Sequence, residues 1–162
     1  MESVQDLFEH ELRDMYDAEQ KLVRATATMS KKVTDQKFST ALAEHSKQTE
    51  GQVKRLEKVF DEIGKKPRRE PCDGINGLIE EFTGFVKDEK PAPAVLDCFA
   101  HGAAAKVEHY EIEAYKGLIE LGNRLGLSTV TELQANLAEE QEAARKLETM
   151  SETLTQKVPV SA

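Results

Sequence analysis

Residues 8–29, FEHELRDMYDAEQKLVRATATM, decide the fold of this chain of 162 residues. Their apolar side chains recur at alternating steps of three and four residues, which is typical of a helix that buries one face. No glycine or proline occurs before residue 51, so the segment predicts a long helix that begins after the cap candidate Ser3 and ends near Val33. The inward positions of this helix are Phe8, Leu12, Met15, Leu22, Thr26 and Met29.

The same periodicity predicts three more long helices and one short helix. The second long helix is expected over residues 35–63 with Gly64 as its stop, and the third over residues 94–121 with Pro93 in its first turn. The fourth is expected after a cap at Ser128 and ends near residue 156. The short helix, at about residues 75–88, interrupts the connection between the second and third. The third long helix is expected to turn inward Phe99, Ala103, Val107, Tyr110, Ala114, Leu118 and Leu121.

These elements predict an all-α fold with a specific connectivity. Two antiparallel hairpins joined by one long crossover are typical of the ferritin-like four-helix bundle, whereas a simple up-down bundle has only short loops. We therefore expect a single ferritin-like domain over residues 1–162, with a short fifth helix in the crossover between the second and third long helices.

Composition and charge limit the kinds of molecule that the protein is expected to bind. The chain has 30 acidic and 22 basic residues and a formal net charge of -8, which repels phosphate backbones and anionic lipid. No apolar run approaches the ~20 residues that cross a bilayer, and the amino terminus lacks the plan of a signal peptide. We expect a cytoplasmic protein that binds neither nucleic acid nor membrane.

The two cysteines, Cys72 and Cys98, do not have a metal-ligand spacing. In a reducing compartment they are expected to be structural free thiols. Redox sensing stays open for Cys72, because this residue is expected in a loop.

Four residues that are able to bind a metal interrupt the inward stripes, one on each long helix: Glu19, His45, Glu111 and Glu140. Burying a charge is costly unless it is paired or binds a cation. Counting from the turns at 1.5 Å per residue places the four side chains at a common level near the middle of the bundle. The pattern indicates a cation site.

Carboxylates with an imidazole predict iron or manganese as the cation. Di-metal bundles ordinarily take a Glu-x-x-His pair from each of two helices, and this chain departs from that pattern, because Gln48 follows His45 and Ala143 follows Glu140 at the third position. Glu44 and Glu108 are candidates for additional ligands, and the site is predicted to hold one or two ions. The alternative is that these residues lie at the bundle edge or form hydrogen bonds within the core.

Two tyrosines occupy comparable places in the two halves of the chain. Tyr16 and Tyr110 are expected either to bond to the ligand carboxylates or merely to pack in the core. His109 is expected to be solvated.

Five segments resemble the YciE/YciF family of bacterial ferritin-like proteins. They are ELRDMYDAEQKL (residues 11–22), LAEHSKQTEGQVKRLEKVF (42–60), KPRREPCDGINGLIEE (66–81), VEHYEIEAY (107–115) and LAEEQEAARKL (137–147). The resemblance implies a ferritin-like bundle, a homodimer, a link to general stress response and a metal site with no established reaction.

Two main functions follow, and the sequence leaves open whether the protein is an enzyme. The first is a stress-associated protein with an Fe or Mn site that acts on peroxide or iron. The alternative is a non-enzymatic stress or interaction protein with a vestigial site. A helical adaptor is a third reading, which the lack of a fully apolar outer face disfavours.

Overall fold

The computed structural model describes residues 1–161, and within them the chain forms five helices and no strand. The helices are α1 (Val4–Ser30), α2 (Gln36–Glu62), α3 (Asp73–Glu89), α4 (Pro93–Leu125) and α5 (Val130–Gln156). Helix α1 packs along α2, and α4 along α5; α1 also contacts α4, and α2 contacts α5. The short helix α3 lies mainly against α4 and touches α1. The prediction of an all-helical chain is confirmed.

Most predicted helix ends are correct to within a few residues, with two informative exceptions. Helix α4 continues four residues past the predicted end at Leu121, because the first left-handed residue is Gly126, with φ 69°. The cap predicted at Ser128 is wrong: α5 has Thr129 as its N-cap residue, and no side chain of its own caps it.

Glu62, at the end of α2, supplies that missing cap from another helix. Its carboxylate accepts hydrogen bonds from the backbone N–H groups of Ser128 and Thr129, each at 2.8 Å, and from both hydroxyl groups. The Thr129 hydroxyl and the three other donors lower the pKa of Glu62 to about 2. The turn between α4 and α5 is thereby joined to the end of α2.

Asp97 joins the opposite turn to the core in the same way. This buried residue of α4 accepts hydrogen bonds from the N–H of Thr34 at 2.6 Å, its hydroxyl at 2.7 Å and the N–H of Asp35 at 2.9 Å. Asp35 in turn is the N-cap of α2. A carboxylate on the second hairpin therefore holds the turn of the first.

Asp17 of α1 fixes the crossover that leads to α3. Its carboxylate accepts hydrogen bonds from the N–H of Cys72 at 2.9 Å and from Arg69 at 2.7 Å, and Lys21 lies 2.5 Å away. Burial raises the pKa of Asp17, but Lys21, the Cys72 N–H and Arg69 together outweigh burial and hold that pKa below its ordinary value. The crossover is thus held at the start of α3.

The apolar core is divided in two along the helix axes. One cluster, towards the α4–α5 turn, includes Phe8, Leu12, Leu56, Tyr115 and Leu133. The other, towards the α1–α2 turn, includes Met29, Phe38, Leu42, Ala100 and Leu147. The segments of α2, α4 and α5 between these clusters carry buried polar side chains, which form a polar layer at mid-height.

Replacing Asp97 by Asn should lower the free energy of unfolding by about 2–4 kcal/mol, because an amide satisfies fewer of the three donors around this buried side chain than a carboxylate does. Urea denaturation followed by circular dichroism measures the change. Asp88→Asn is the control, since Asp88 is exposed and forms no side-chain hydrogen bond among the described residues. Equal stability of the two variants would contradict the role assigned to Asp97.

Candidate metal centre

Five side chains able to bind a metal lie in or beside the polar layer. Glu19 comes from α1, His45 from α2, Glu108 and Glu111 from α4, and Glu140 from α5. All four carboxyl groups are buried, and only 11% of the His45 side chain is exposed. Glu108 and Glu111 share a face because residues three apart on a helix lie one above the other.

Four of these residues form a compact group. His45, Glu108, Glu111 and Glu140 each place one ligand atom so that the four atoms lie within 4.8 Å of one another. His45 Nε2 is 3.4 Å from the carboxylate of Glu108 and 3.6 Å from that of Glu140. A small dication bound at about 2.1 Å by each ligand separates opposite ligand atoms by about 4 Å. The four ligand atoms are therefore spaced about as closely as the ligands of a single ion.

Unpartnered polar atoms concentrate at the same place. Within the described residues, eight buried side-chain atoms have no hydrogen-bond partner. Seven lie in or beside the polar layer, and the eighth is Arg13 Nε on α1. The seven are Glu19 Oε2, His45 Nδ1, Gln52 Oε1, Glu108 Oε2, both carboxylate oxygens of Glu111, and Glu140 Oε2. Buried polar atoms in native proteins are nearly always paired, and each unpaired one costs about 1–3 kcal/mol. The free carboxylate oxygens are the donors that a hard cation would use.

Neighbouring polar groups orient two of the carboxylates. The hydroxyl of Tyr115 donates to Glu19 Oε1, and the amide of Gln52 donates to Glu140 Oε1. In each carboxylate these bonds occupy one oxygen, and the second has no partner.

A further amide joins these two orienting groups. Asn136 Nδ2 donates to the Tyr115 hydroxyl at 2.8 Å and lies 3.3 Å from the backbone oxygen of Gln52. Arg55, which is partly exposed, donates to the other end of the Asn136 side chain and to Glu139. A continuous hydrogen-bonded chain therefore runs from Arg55 near the surface to Glu19 in the core.

The electrostatics of the polar layer favour a positive charge. Burial, and after it repulsion from Glu140, raises the pKa of Glu19, Glu108 and Glu111 well above the ordinary value. Burial and the nearby Glu19 carboxylate likewise raise the pKa of Tyr115. A bound dication would reverse the effect on the carboxyl groups, since it favours their ionised form.

The residues present fit one Fe or Mn ion better than two. Three carboxylates and one imidazole form the compact group, and Glu19 lies beside it with one free oxygen. The second imidazole of a full di-metal pattern is absent at Ala143. His45 Nδ1 also lacks the acceptor that usually orients a metal-binding imidazole.

The structure places the remaining candidates outside this group. Glu44 is exposed, although it lies at the edge of a small opening that His45 and Glu108 also line. The expected role of Tyr16 and Tyr110 as partners of the ligand carboxylates is wrong. Tyr16 donates to Glu57 at 3.0 Å, and the Tyr110 hydroxyl lies 3.2 Å from the Cys72 thiol.

Sequence reasoning missed Tyr115 and Asn136 because it traces the inward faces of α4 and α5 through their apolar stripes, which pass beside these two residues. Tyr115 is four residues after Glu111, and Asn136 four residues before Glu140. A face traced through the glutamates instead, at steps of three and four, contains both. Gln52, which donates to Glu140, is fully buried.

The cysteines are both free thiols. Cys72 is fully buried as the N-cap of α3, and burial raises the pKa of its thiol. A buried thiol with a raised pKa forms little thiolate, so the structural role is favoured over redox sensing. His109 is exposed, as expected.

An all-helical protein with a buried acidic layer is the class that this fold and site define. The chain belongs to the family described as a domain of unknown function, DUF892, which matches residues 3–158. It is 35% identical over 144 residues to Protein YciF of Escherichia coli strain K12, a similarity that covers 88% of this chain and 86% of that protein. The resemblance to the YciE/YciF family is confirmed.

Solved structures agree with this assignment. The crystal structure of the Escherichia coli stress protein YciF matches 98% of this chain and 100% of its own, with 34% identity and a TM-score of 0.90. YcfI of Rhodopseudomonas palustris, whose description proposes a structural role, matches 91% of this chain and 94% of its own, with 38% identity and a TM-score of 0.88. A Xanthomonas campestris protein, 17% identical with a TM-score of 0.74, shares the fold. No helix among residues 1–161 is long and apolar enough to span a membrane.

In metal-free protein, Glu111→Gln should stabilise the fold at neutral pH by about 1–3 kcal/mol, because it removes a buried group whose ionised form has no partner. The raised folded-state pKa means that the wild-type protein loses stability as pH rises above the unfolded value of 4.5. The advantage of the variant should therefore be small near pH 4 and grow towards pH 8, as measured by urea denaturation with EDTA present. If the difference in unfolding free energy between the variant and the wild-type protein were constant from pH 4 to pH 8, the raised pKa of Glu111 would be contradicted.

Proposed function

We propose that this chain is a stress-associated protein with a single ferritin-like domain, that it holds Fe or Mn in the polar layer, and that it acts on peroxide or on iron itself. The observation that carries the proposal is the convergence of unpartnered carboxylate oxygens on His45 within the core. The connectivity of two helical hairpins joined by a long crossover with its own helix supports the ferritin-like assignment.

The chemistry of the ligands supports the choice of metal. Carboxylate oxygens suit hard cations such as Mn, and an imidazole suits Fe as well. His45, Glu108, Glu111 and Glu140 would hold the ion, and Glu19 would be available as a further ligand. A dication would cancel two of the three carboxylate charges and leave a net charge of about -1. This neutralisation would offset much of the free-energy cost of burying the carboxylates.

When bound, an Fe or Mn ion supplies redox chemistry towards peroxide. The chain's own residues prepare the site. Tyr115 and Gln52 hold the carboxylates of Glu19 and Glu140 in fixed orientations, and the Tyr115 hydroxyl keeps its proton because burial and Glu19 raise its pKa. The two apolar clusters on either side exclude water.

A small opening gives access to the group from the surface. It lies between α2, α4 and α5 and is lined by Glu44, His45, Gln48, Glu108 and Lys146, among others. Peroxide, or a cation that sheds its hydration shell, would reach the group by this route. The exposed carboxylate of Glu44 would attract a cation to its edge.

The second candidate function is a non-enzymatic stress or interaction protein with a vestigial site. Two observations favour it: the imperfect Glu-x-x-His pattern, and the hydrogen bonds that already satisfy part of Glu19 and Glu140. In that case Glu140→Gln would change stability modestly and leave the metal content at background.

We further propose that the protein is a homodimer in the cytoplasm. The family resemblance supports the dimer, and the two free cysteines agree with a reducing compartment. Light scattering coupled to size-exclusion chromatography measures the oligomeric state directly.

Protein purified from iron- or manganese-supplemented cells should contain about one ion per chain, with two as the upper limit. Glu111→Ala combined with Glu140→Ala should reduce the content below about a tenth of that value, because it removes two of the four clustered ligands. Elemental analysis measures the content, and Glu44→Ala is the control, since this residue is exposed and outside the group. A metal content of the wild-type protein that is no higher than background would favour the second candidate function, with a vestigial site, over the first.

Tyr115→Phe should weaken Mn²⁺ binding by about 10–100-fold, because a carboxylate without its orienting hydrogen bond holds a metal less well. Electron paramagnetic resonance of free Mn²⁺ during titration gives the affinity. Tyr16→Phe is the matched control, because that hydroxyl bonds to Glu57 away from the polar layer. Equal affinities for both variants would remove Tyr115 from the site.

A further inference from the structure

A second feature, distinct from the polar layer, is a half-open groove between α1, α3 and α4 with a volume of about 380 Å³. This volume lies within the range of about 300–1,000 Å³ that is typical of small-molecule sites. The walls are mainly apolar and include Leu22, Met29, Leu78, Phe82, Ala103 and Val107.

The groove follows from residue size. The short helix α3 packs mainly against α4 and has fewer contacts with α1, so a gap is left between α1 and α3. Small side chains leave that gap open: Ala25 on α1 and Ala103 and Ala104 on α4 lie where larger side chains would fill it. Along α1 the groove extends from Gln20 to Met29, a length of about 14 Å at the rise of a helix, and Lys32 borders it just beyond the end of α1.

Positive charge lines the edge of this groove, although the whole chain carries a net charge of -8. Lys21, Arg24, Lys32 and Arg69 all border it. Lys21 and Arg69 share one partner, Asp17. Arg24 and Lys32 are exposed and form no ion pair within residues 1–161. The edge therefore keeps a net positive charge.

We propose that the groove binds a single-chain anionic amphiphile of the fatty-acid type, with its chain against the apolar walls and its anionic head at the cationic edge. The apolar chain of such a ligand matches the apolar walls, because burying apolar surface lowers the free energy. Its anionic head matches the edge, because the unpaired Arg24 and Lys32 attract it. The inner part of the groove offers the head no cation, since the charge-bearing side chain that lines it there is the buried Glu108. The elongated shape of the groove suits one extended chain.

This binding site is independent of the proposed metal function. Its walls and its cations belong to residues that contribute no candidate ligand, apart from Glu108 at the floor. The experiment therefore uses protein freed of metal with EDTA, so that chelation by the head group plays no part and the two proposals fail separately.

The probe is dodecanoate below its micellar concentration, titrated by isothermal calorimetry or by displacement of a dansylated fatty acid; the chain has no tryptophan to interfere. One molecule should bind per chain with a dissociation constant of about 1–100 µM. Each methylene removed from the probe should weaken binding by about two- to fourfold, as expected for buried CH₂ groups. If no saturable binding were seen at dodecanoate concentrations up to about 1 mM, the proposal would be overturned.

Two variants test the two halves of the site. Ala25→Phe places a ring in the groove and should abolish binding, whereas Ala138→Phe, at an exposed position of α5, should not. Arg24→Glu with Lys32→Glu should weaken dodecanoate about tenfold while leaving the uncharged dodecanol unchanged. Lys47→Glu with Lys54→Glu, two exposed lysines of α2 outside the groove, is the control matched in net charge.

Three results would contradict the proposal. The first is an equal loss of dodecanoate binding in both charge-reversed proteins, which would indicate a general effect of net charge. The second is binding to anionic vesicles without binding of the monomeric probe, which would indicate a membrane surface. The third is dissociation of a wild-type dimer by Ala25→Phe, which would make the groove an interface between two copies of this chain.

Discussion

The constraint on which the rest of the structure depends is the desolvation of four carboxyl groups at mid-height of the core. Glu19, Glu108, Glu111 and Glu140 are all buried close together, and burial and repulsion from Glu140 raise the pKa of the first three. A core of this size has to hold them in place by other means. It does so with an apolar cluster on each side and with hydrogen-bond donors aimed at single oxygens.

The rest of the fold holds the helices that carry this polar layer in place. Three carboxylates outside the layer are hydrogen-bonded to distant parts of the chain: Asp97 holds the α1–α2 turn, Glu62 the α4–α5 turn and Asp17 the crossover. Each joins elements that are distant in sequence, so these bonds help to fix the positions of the helices relative to one another. The contrast is informative, because the chain satisfies its structural carboxylates and leaves free those that converge on His45.

Two openings reach the same residue from different sides. Glu108 lies at the floor of the groove between α1, α3 and α4, and it also lines the small opening between α2, α4 and α5. The groove has a cationic edge, whereas the small opening has the carboxylate of Glu44 at its edge. Glu108 is therefore the point at which a molecule in the groove would come nearest to the polar layer.

The sequence by itself determined the all-helical fold, the two hairpins and the inward position of Glu19, His45, Glu111 and Glu140, because the helical period places residues on a face without reference to other helices. Only the tertiary structure decided which neighbours these residues meet. It brought Tyr115 rather than Tyr16 or Tyr110 to the carboxylates, left Glu44 outside, and replaced a local cap at Ser128 by Glu62. Such contacts depend on the rotation of each helix about its axis and on partners up to 96 residues away in sequence, and packing alone sets both.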